Sequence, residues 1–252
     1  KIFESTAIPI YASGGKVSGY RGLDRDITER RRAEEERERY HRELELISDT
    51  VIRASRARDA DEICRIVAAA AHRVNPESYV VVSLHDEELD GIRVRSIMGL
   101  GGRLEKIMGI LGRDPRDIVF YPAKLGNSTK YYTDGRLNEV PGGLTELMAG
   151  TVPEKLCRLA EKAMNVDSIY TVGFSTDDTP RGGLIIFLPP GEEPDFPRAL
   201  ETMMSRVSEI LQKKRAEEAV RKSERKFRTV VNSTSDMALL KDAEFGHVLV
   251  NP

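Results

Sequence analysis

The chain has no tryptophan, only two cysteines and only four histidines among its 252 residues, and aromatic residues make up just 6%. Two cysteines, Cys64 and Cys157, cannot build a disulfide framework, which points to a reducing, cytoplasmic setting. Histidines 41, 72, 85 and 247 are scattered and there is no CxxCH, so neither a metal-ligand cluster nor a c-type haem attachment can be read. No apolar run approaches the roughly 20 residues needed to cross a bilayer, and the N-terminus lacks the shape of a signal peptide; no membrane contact is expected within this segment. An excess of one charge sign is also missing. Lys and Arg number 39 against 41 Asp and Glu, and the net charge of −2 offers no field for nucleic acid. A phosphate-cradling loop is absent too, because Gly99-Leu100-Gly101-Gly102 fits neither GxxxxGK[ST] nor GxGxxG and reads as a turn.

What the chain has in abundance is charge of both signs, 32% of its residues, much of it in two rod-like stretches. The first follows Asp26, which with Glu29 three residues on is a helix-start signature. From there Ala33, Tyr40, Leu44, Ile47, Val51 and Ala54 are spaced 7, 4, 3, 4, 3, the a/d rhythm of a helix facing a parallel partner. A rod over 28–55 would be ~40 Å long at about 1.5 Å per residue. Its i,i+4 acid–base pairs also suit a solvated single helix, but the seam favours a parallel homodimer. His41 lies on this rod, followed by Arg42-Glu43-Leu44, and invites comparison with a phosphoacceptor. No proline follows it, so it reads as a plain rod histidine. The second rod, 199–233, carries Met203, Val207, Ile210, Val220 and Phe227 in a rough heptad.

Between the rods the pattern alternates. Asp59-Ala60-Asp61-Glu62 opens an apolar helix, Ile63–Val74, and strands are expected over 78–85 and 92–100. A helix is expected over 103–111, then a polar segment of loop and short strand holding Tyr121, Tyr131 and Tyr132. A helix starting after Pro153 and two strands, 168–176 and 182–188, complete the domain. Strands bounded by helices imply one antiparallel sheet with helices packed on it, an α+β layer arrangement. Lys1 falls in mid-strand and Asn251-Pro252 follow a strand-like run, so the chain is expected to be a piece of a longer protein.

Three stretches carry a family resemblance. Ala7-Ile8-Pro9-Ile10, Gly14 to Tyr20, and Arg25-Asp26-Ile27-Thr28-Glu29-Arg30 resemble the C-terminal hairpin of a PAS sensor domain. The element order of the middle resembles a GAF domain, and YYTDGRLNEVPGGL is similar to GAF domains of archaeal PAS–GAF sensor kinases. Lys222 to Ser233, then Met237–Leu240 and Gly246 to Asn251, resemble the start of a second PAS domain. The resemblance implies a PAS hairpin over 1–27, a linker helix over 28–55, a GAF-like α+β domain over 56–198, a second linker over 199–233 and a PAS start over 234–252. It implies that Asp26, Ile27 and Thr28 couple the PAS sheet to the outgoing helix. It further implies a cytoplasmic sensor and relay segment of a histidine kinase, dimeric through its linkers, with the kinase domain elsewhere in the same chain and no catalytic residue in this piece. The ligand of such domains sits beside the segment after the second strand, which makes Tyr121, Lys124, Tyr131 and Tyr132 the candidates here; the same residues also suit packing of that loop onto the sheet. The cofactor is left unknown. Haem on Cys157 or Cys64, a thiol redox switch or a GAF-fold enzyme is the alternative, although two helical cysteines suit packing as small hydrophobes.

Overall fold

The computed structural model describes residues 1–13, 15–121, 124, 126–176, 179–233, 239–241 and 247–250, in two compact units, Lys1–Asp49 and Thr50–Pro252. In the first unit, β1 (Phe3–Tyr11) and β2 (Val17–Asp26) pair antiparallel with Phe3 opposite Asp26. They form a sheet of their own, and Ile8, Tyr20 and Leu23 stand exposed on it. α1 (Thr28–Arg56) starts directly afterwards. On it Tyr40 and Leu44 are exposed, whereas Thr50 and Ala54 are fully buried.

The second unit is built on a six-stranded sheet in the order β5-β4-β3-β8-β7-β6, every pair antiparallel. Its strands are β3 (Tyr79–Asp86), β4 (Gly91–Met98), β5 (Val119–Phe120), β6 (Asn138–Glu139), β7 (Ser168–Thr176) and β8 (Thr179–Leu188). Two hairpins, β3–β4 and β7–β8, join through β3 and β8. The two-residue β5 and β6 form the edges, pairing with Ile92 and Arg93 of β4 and with Tyr170 and Thr171 of β7; edge strands this short offer little template to another chain.

The central strands β3 and β8 carry near-continuous apolar runs, 79–82 and 184–188, because both faces are covered there. Side chains alternate across the pleat. Tyr79, Ile92, Ile169, Ile185 and Phe187 join one core with α3 (Arg103–Leu111), α5 (Gly143–Met148) and α6 (Glu154–Met164). Val80, Val82, Leu184 and Ile186 are left for the other face, where α2 (Ala60–Val74) and α7 (Pro197–Ser233) touch the sheet. α2 is capped as its sequence demands: Asp59 accepts the Glu62 N–H at 2.7 Å, and Glu62 accepts the Arg58 N–H at 2.7 Å. α7 buries Leu200, Met203, Met204, Val207 and Leu211, an i, i+3, i+4, i+7, i+11 stripe, and beyond that Val220 and Phe227 are exposed.

The polar segment is more helical than its sequence suggests. A 3-10 turn, Gly126–Thr129, runs into α4 (Lys130–Thr133), and α5 is a helix that the sequence pattern does not predict. Pieces of four to six residues are too short to show a 3.6-residue period, and tertiary contacts decide them. Of the second PAS-like start, Lys222 to Ser233 belong to α7, and Leu239–Lys241 and His247–Val250 pair antiparallel as β9 and β10; residues 234–238, 242–246 and 251–252 lie outside the described residues.

Candidate functional site

Packing the α3–α6 layer on the sheet leaves an apolar cavity of about 70 Å³. The sheet contributes Tyr79, Val81 and Ser83 from β3, with Ile185 and Phe187 from β8; the helices contribute Ile107, Leu144, Leu147, Met148, Ala160 and Met164. The polar atoms nearest it are already engaged. Tyr79 Oη donates to the Met164 carbonyl at 2.9 Å and accepts from the Arg103 guanidinium, and Ser83 Oγ donates to the Gly183 carbonyl at 3.4 Å.

The four candidate residues of the polar segment do not line one cleft. Tyr132 faces the cavity and is buried, and its phenol is pushed above its ordinary value by desolvation. Tyr131 is equally buried, but its hydroxyl donates to Glu146 Oε1 at 2.7 Å. Burial first, then that carboxylate, raises the Tyr131 phenol to about 12. Tyr121 is 42% exposed with Lys124 Nζ 5.2 Å from its ring centroid, and neither residue borders the cavity.

Why Tyr131 and Tyr132 go inward is written in glycine. Gly173 and Gly183 are paired across β7 and β8. A Cβ at Gly173 would fall on the backbone of Tyr132, and one at Gly183 would lie 3.5 Å from the Tyr132 ring. The α4 backbone therefore rests directly on a notch in the sheet. Glycines inside two strands signal such an approach, and this was the feature that could have picked Tyr132 from the four candidates.

Two polar bridges hold α7, one from the sheet and one from the segment before β6. Arg215 Nη2 donates to the His85 carbonyl at the end of β3 at 2.7 Å, and burial lowers the guanidinium's proton affinity despite Glu87 nearby. Glu201 Oε1 accepts the Leu137 N–H at 2.9 Å, tying α7 to the segment between α4 and β6.

The other predicted site is the joint at the end of the first hairpin. Asp26 Oδ1 accepts the Thr28 hydroxyl at 2.6 Å and the Thr28 N–H at 3.0 Å; those bonds, the hydroxyl first, hold its carboxyl below the usual carboxylate range. Thr28 Oγ1 in turn accepts the Ile2 N–H at 2.8 Å, and the Ile27 N–H donates to the Ile2 carbonyl at 2.9 Å. Asp26, Ile27 and Thr28 thus fasten the start of β1 to the start of α1. The carboxylate works through Thr28 two residues on, an Asx-type turn, in place of the box with Glu29.

This sheet order, with hairpins joined at the centre and helices on both faces, decides the architecture. The fold is GAF-like. No family model and no curated protein matches the sequence. The photosensory core module of the Stigmatella aurantiaca phytochrome is 14% identical and superposes with a TM-score of 0.50 over 92% of this chain and 46% of its own. The chromophore-binding domain of a bacteriophytochrome from R. palustris is 12% identical, with a TM-score of 0.48 over 84% of this chain and 70% of its own. A cyanobacteriochrome GAF domain is 17% identical, with a TM-score of 0.43 over 64% of this chain and 93% of its own. At such identities the likeness is one of fold.

Haem does not fit this GAF-like unit. Among the described residues no histidine or cysteine lines the cavity, so none stands there as an axial ligand for haem iron. Cys64 is buried on α2, where desolvation pushes its thiol up to about 12. Cys157 is buried on α6 with its Sγ 3.8 Å from the Val152 carbonyl, and burial raises its thiol too. Two protonated thiols on helices of opposite sheet faces make a poor redox pair. Among the described residues no helix is long and apolar enough to cross a membrane.

Proposed function

We infer that this chain is a sensor and relay segment of a multidomain signalling protein, a histidine kinase in the reading its PAS- and GAF-like sequence stretches support. The GAF-like unit senses a small molecule, and linker helices in a parallel homodimer carry its state to an output domain in the same chain. The segment itself catalyses nothing. One observation carries the reading: β3 borders the cavity with Tyr79, Val81 and Ser83, and the same strand ends on the carbonyl that holds Arg215 of α7. Anything that shifts β3 from inside the cavity is felt by the outgoing helix. Such a switch needs two helix arrangements a few kcal/mol apart, with the ligand favouring one. The Asp26–Thr28–Ile2 stitch supports the matching role at the incoming helix.

The experiment is a thermal-shift search for stabilising small molecules, followed by hydrogen exchange with each one found. A ligand that raises Tm should change amide protection in α7 between Leu211 and Val220. A ligand that raises Tm and leaves α7 unchanged would show that the unit binds without relaying.

A further inference from the structure

The sensor reading leaves open what enters the cavity, and the lining narrows it. Among the described residues, none that borders it is Asp, Glu, Lys, Arg, His, Asn or Gln. Tyr79 and Ser83 spend their hydroxyl protons on the Met164 and Gly183 carbonyls. Tyr132 offers at most a neutral hydroxyl, because desolvation raises its phenol. A carboxylate, a phosphate or a ring rich in hydrogen-bonding groups would lose its water here without a partner to replace it, and burial of an unpaired charge or polar group is strongly unfavourable. Size narrows the class further. The cavity of about 70 Å³ is roughly half the ~150 Å³ of an apolar cavity that takes up benzene or xenon. Its wall is not rigid throughout, since Met148 and Met164 line it and unbranched thioethers repack readily.

We propose that the cavity between β3, β8 and α6 binds a small, uncharged, apolar molecule, from a gas to a light hydrocarbon in size. This rests on the reading of the unit as a sensor and gives that sensor its ligand class. Nucleotides and extended chromophores fall outside it. The ligand is held by dispersion against Ile185, Phe187, Leu147 and Ala160, and its contacts with Val81 and Tyr79 place it on the strand that ends at the Arg215 anchor.

Xenon is the probe, followed by the concentration dependence of its 129Xe chemical shift with the full chain. Saturable binding is expected in the unmodified protein. Ala160→Leu, which directs three more carbons into the cavity from a helix that tolerates leucine, should weaken it at least tenfold. Leu147→Ala should strengthen it and admit benzene, read as a rise in Tm, so the test does not depend on the filled variant folding. Absence of saturable xenon binding in the unmodified protein overturns the proposal, as does binding that neither variant changes. Hydrogen exchange of α7 separates the two claims. Xenon binding without a change in α7 keeps the ligand class and removes the sensor role. No xenon binding, with a polar metabolite that raises Tm and alters α7, removes the ligand class and keeps the sensor.

Discussion

At the scale of residues, the pair Tyr131 and Glu146 shows how a buried hydroxyl is satisfied. The carboxylate accepts from Tyr131 Oη at 2.7 Å and from the Gly142 N–H at 2.8 Å, so α4 and the start of α5 share one acceptor. Those bonds, the tyrosine's first, lower the Glu146 carboxyl below its ordinary range. A depressed carboxyl contributes stability that is present above the unfolded pKa of ~4.3 and is lost as pH falls through the folded value. Tyr131→Phe should therefore cost about 1–2 kcal/mol at pH 7, and the difference from the unmodified protein should shrink below about pH 4. Urea denaturation at both pH values checks it. The glycine notch gives a sharper contrast. Gly173→Ala puts a methyl into the Tyr132 backbone, which cannot yield as a side chain can, and should cost about 3 kcal/mol or more. Gly109→Ala, in the last turn of α3 with nothing near its Cβ position, should stabilise by about 0.5–1 kcal/mol. Equal effects of the two would mean that α4 does not rest on the sheet.

At the scale of elements, the long pieces were legible and the short ones were not. α3 and β7 fall on the residues their patterns named, 103–111 and 168–176, because eight or more residues suffice to show a period. α2 began where its capping box said, since Asp59 and Glu62 act within one turn. β5, β6, α4 and α5 carry no period to read, and all four lie in the polar segment whose tyrosines are candidates for the site. The cavity was illegible for a related reason. Its walls come from β3, β4, β5, β8, four helices and the stretch before β5, and only the fold brings Val81, Leu147 and Ile185 together. The arginine that anchors α7 was hidden in another way, because one charge among many on a helix gives no sign that it reaches a carbonyl 130 residues away. Its role can be tested alone. Arg215→Met keeps the aliphatic stem and removes a charge-assisted bond of about 1.5–3 kcal/mol, so amide protection from Gln212 to Lys222 should fall about ten- to hundredfold. Protection up to Leu211 should persist, because the stripe from Leu200 to Leu211 is untouched.

At the scale of the whole molecule, the proposed relay requires two copies. On α1 the heptad seam includes Tyr40 and Leu44, which are 62% and 46% exposed in the single chain. In a parallel dimer each would meet its own counterpart, and burying a leucine contributes about 1.5–3 kcal/mol. Light scattering should then give twice the chain mass. Leu44→Glu removes that burial on both helices and sets two like charges against each other, so the dissociation constant should rise at least tenfold. Direction is a separate question from association. Leu44→Cys places a thiol on the seam; in a parallel, in-register pair it faces its own copy and should form an intermolecular disulfide on mild oxidation, whereas an antiparallel pair carries the two thiols apart. The native thiols do not confuse the result, because Cys64 and Cys157 are both buried. A dimer that survives Leu44→Glu, or that forms without cross-linking through Leu44→Cys, would place the association elsewhere on the chain. A strict monomer at high concentration would remove the mechanism, since a lone charged helix has no partner against which to change its packing.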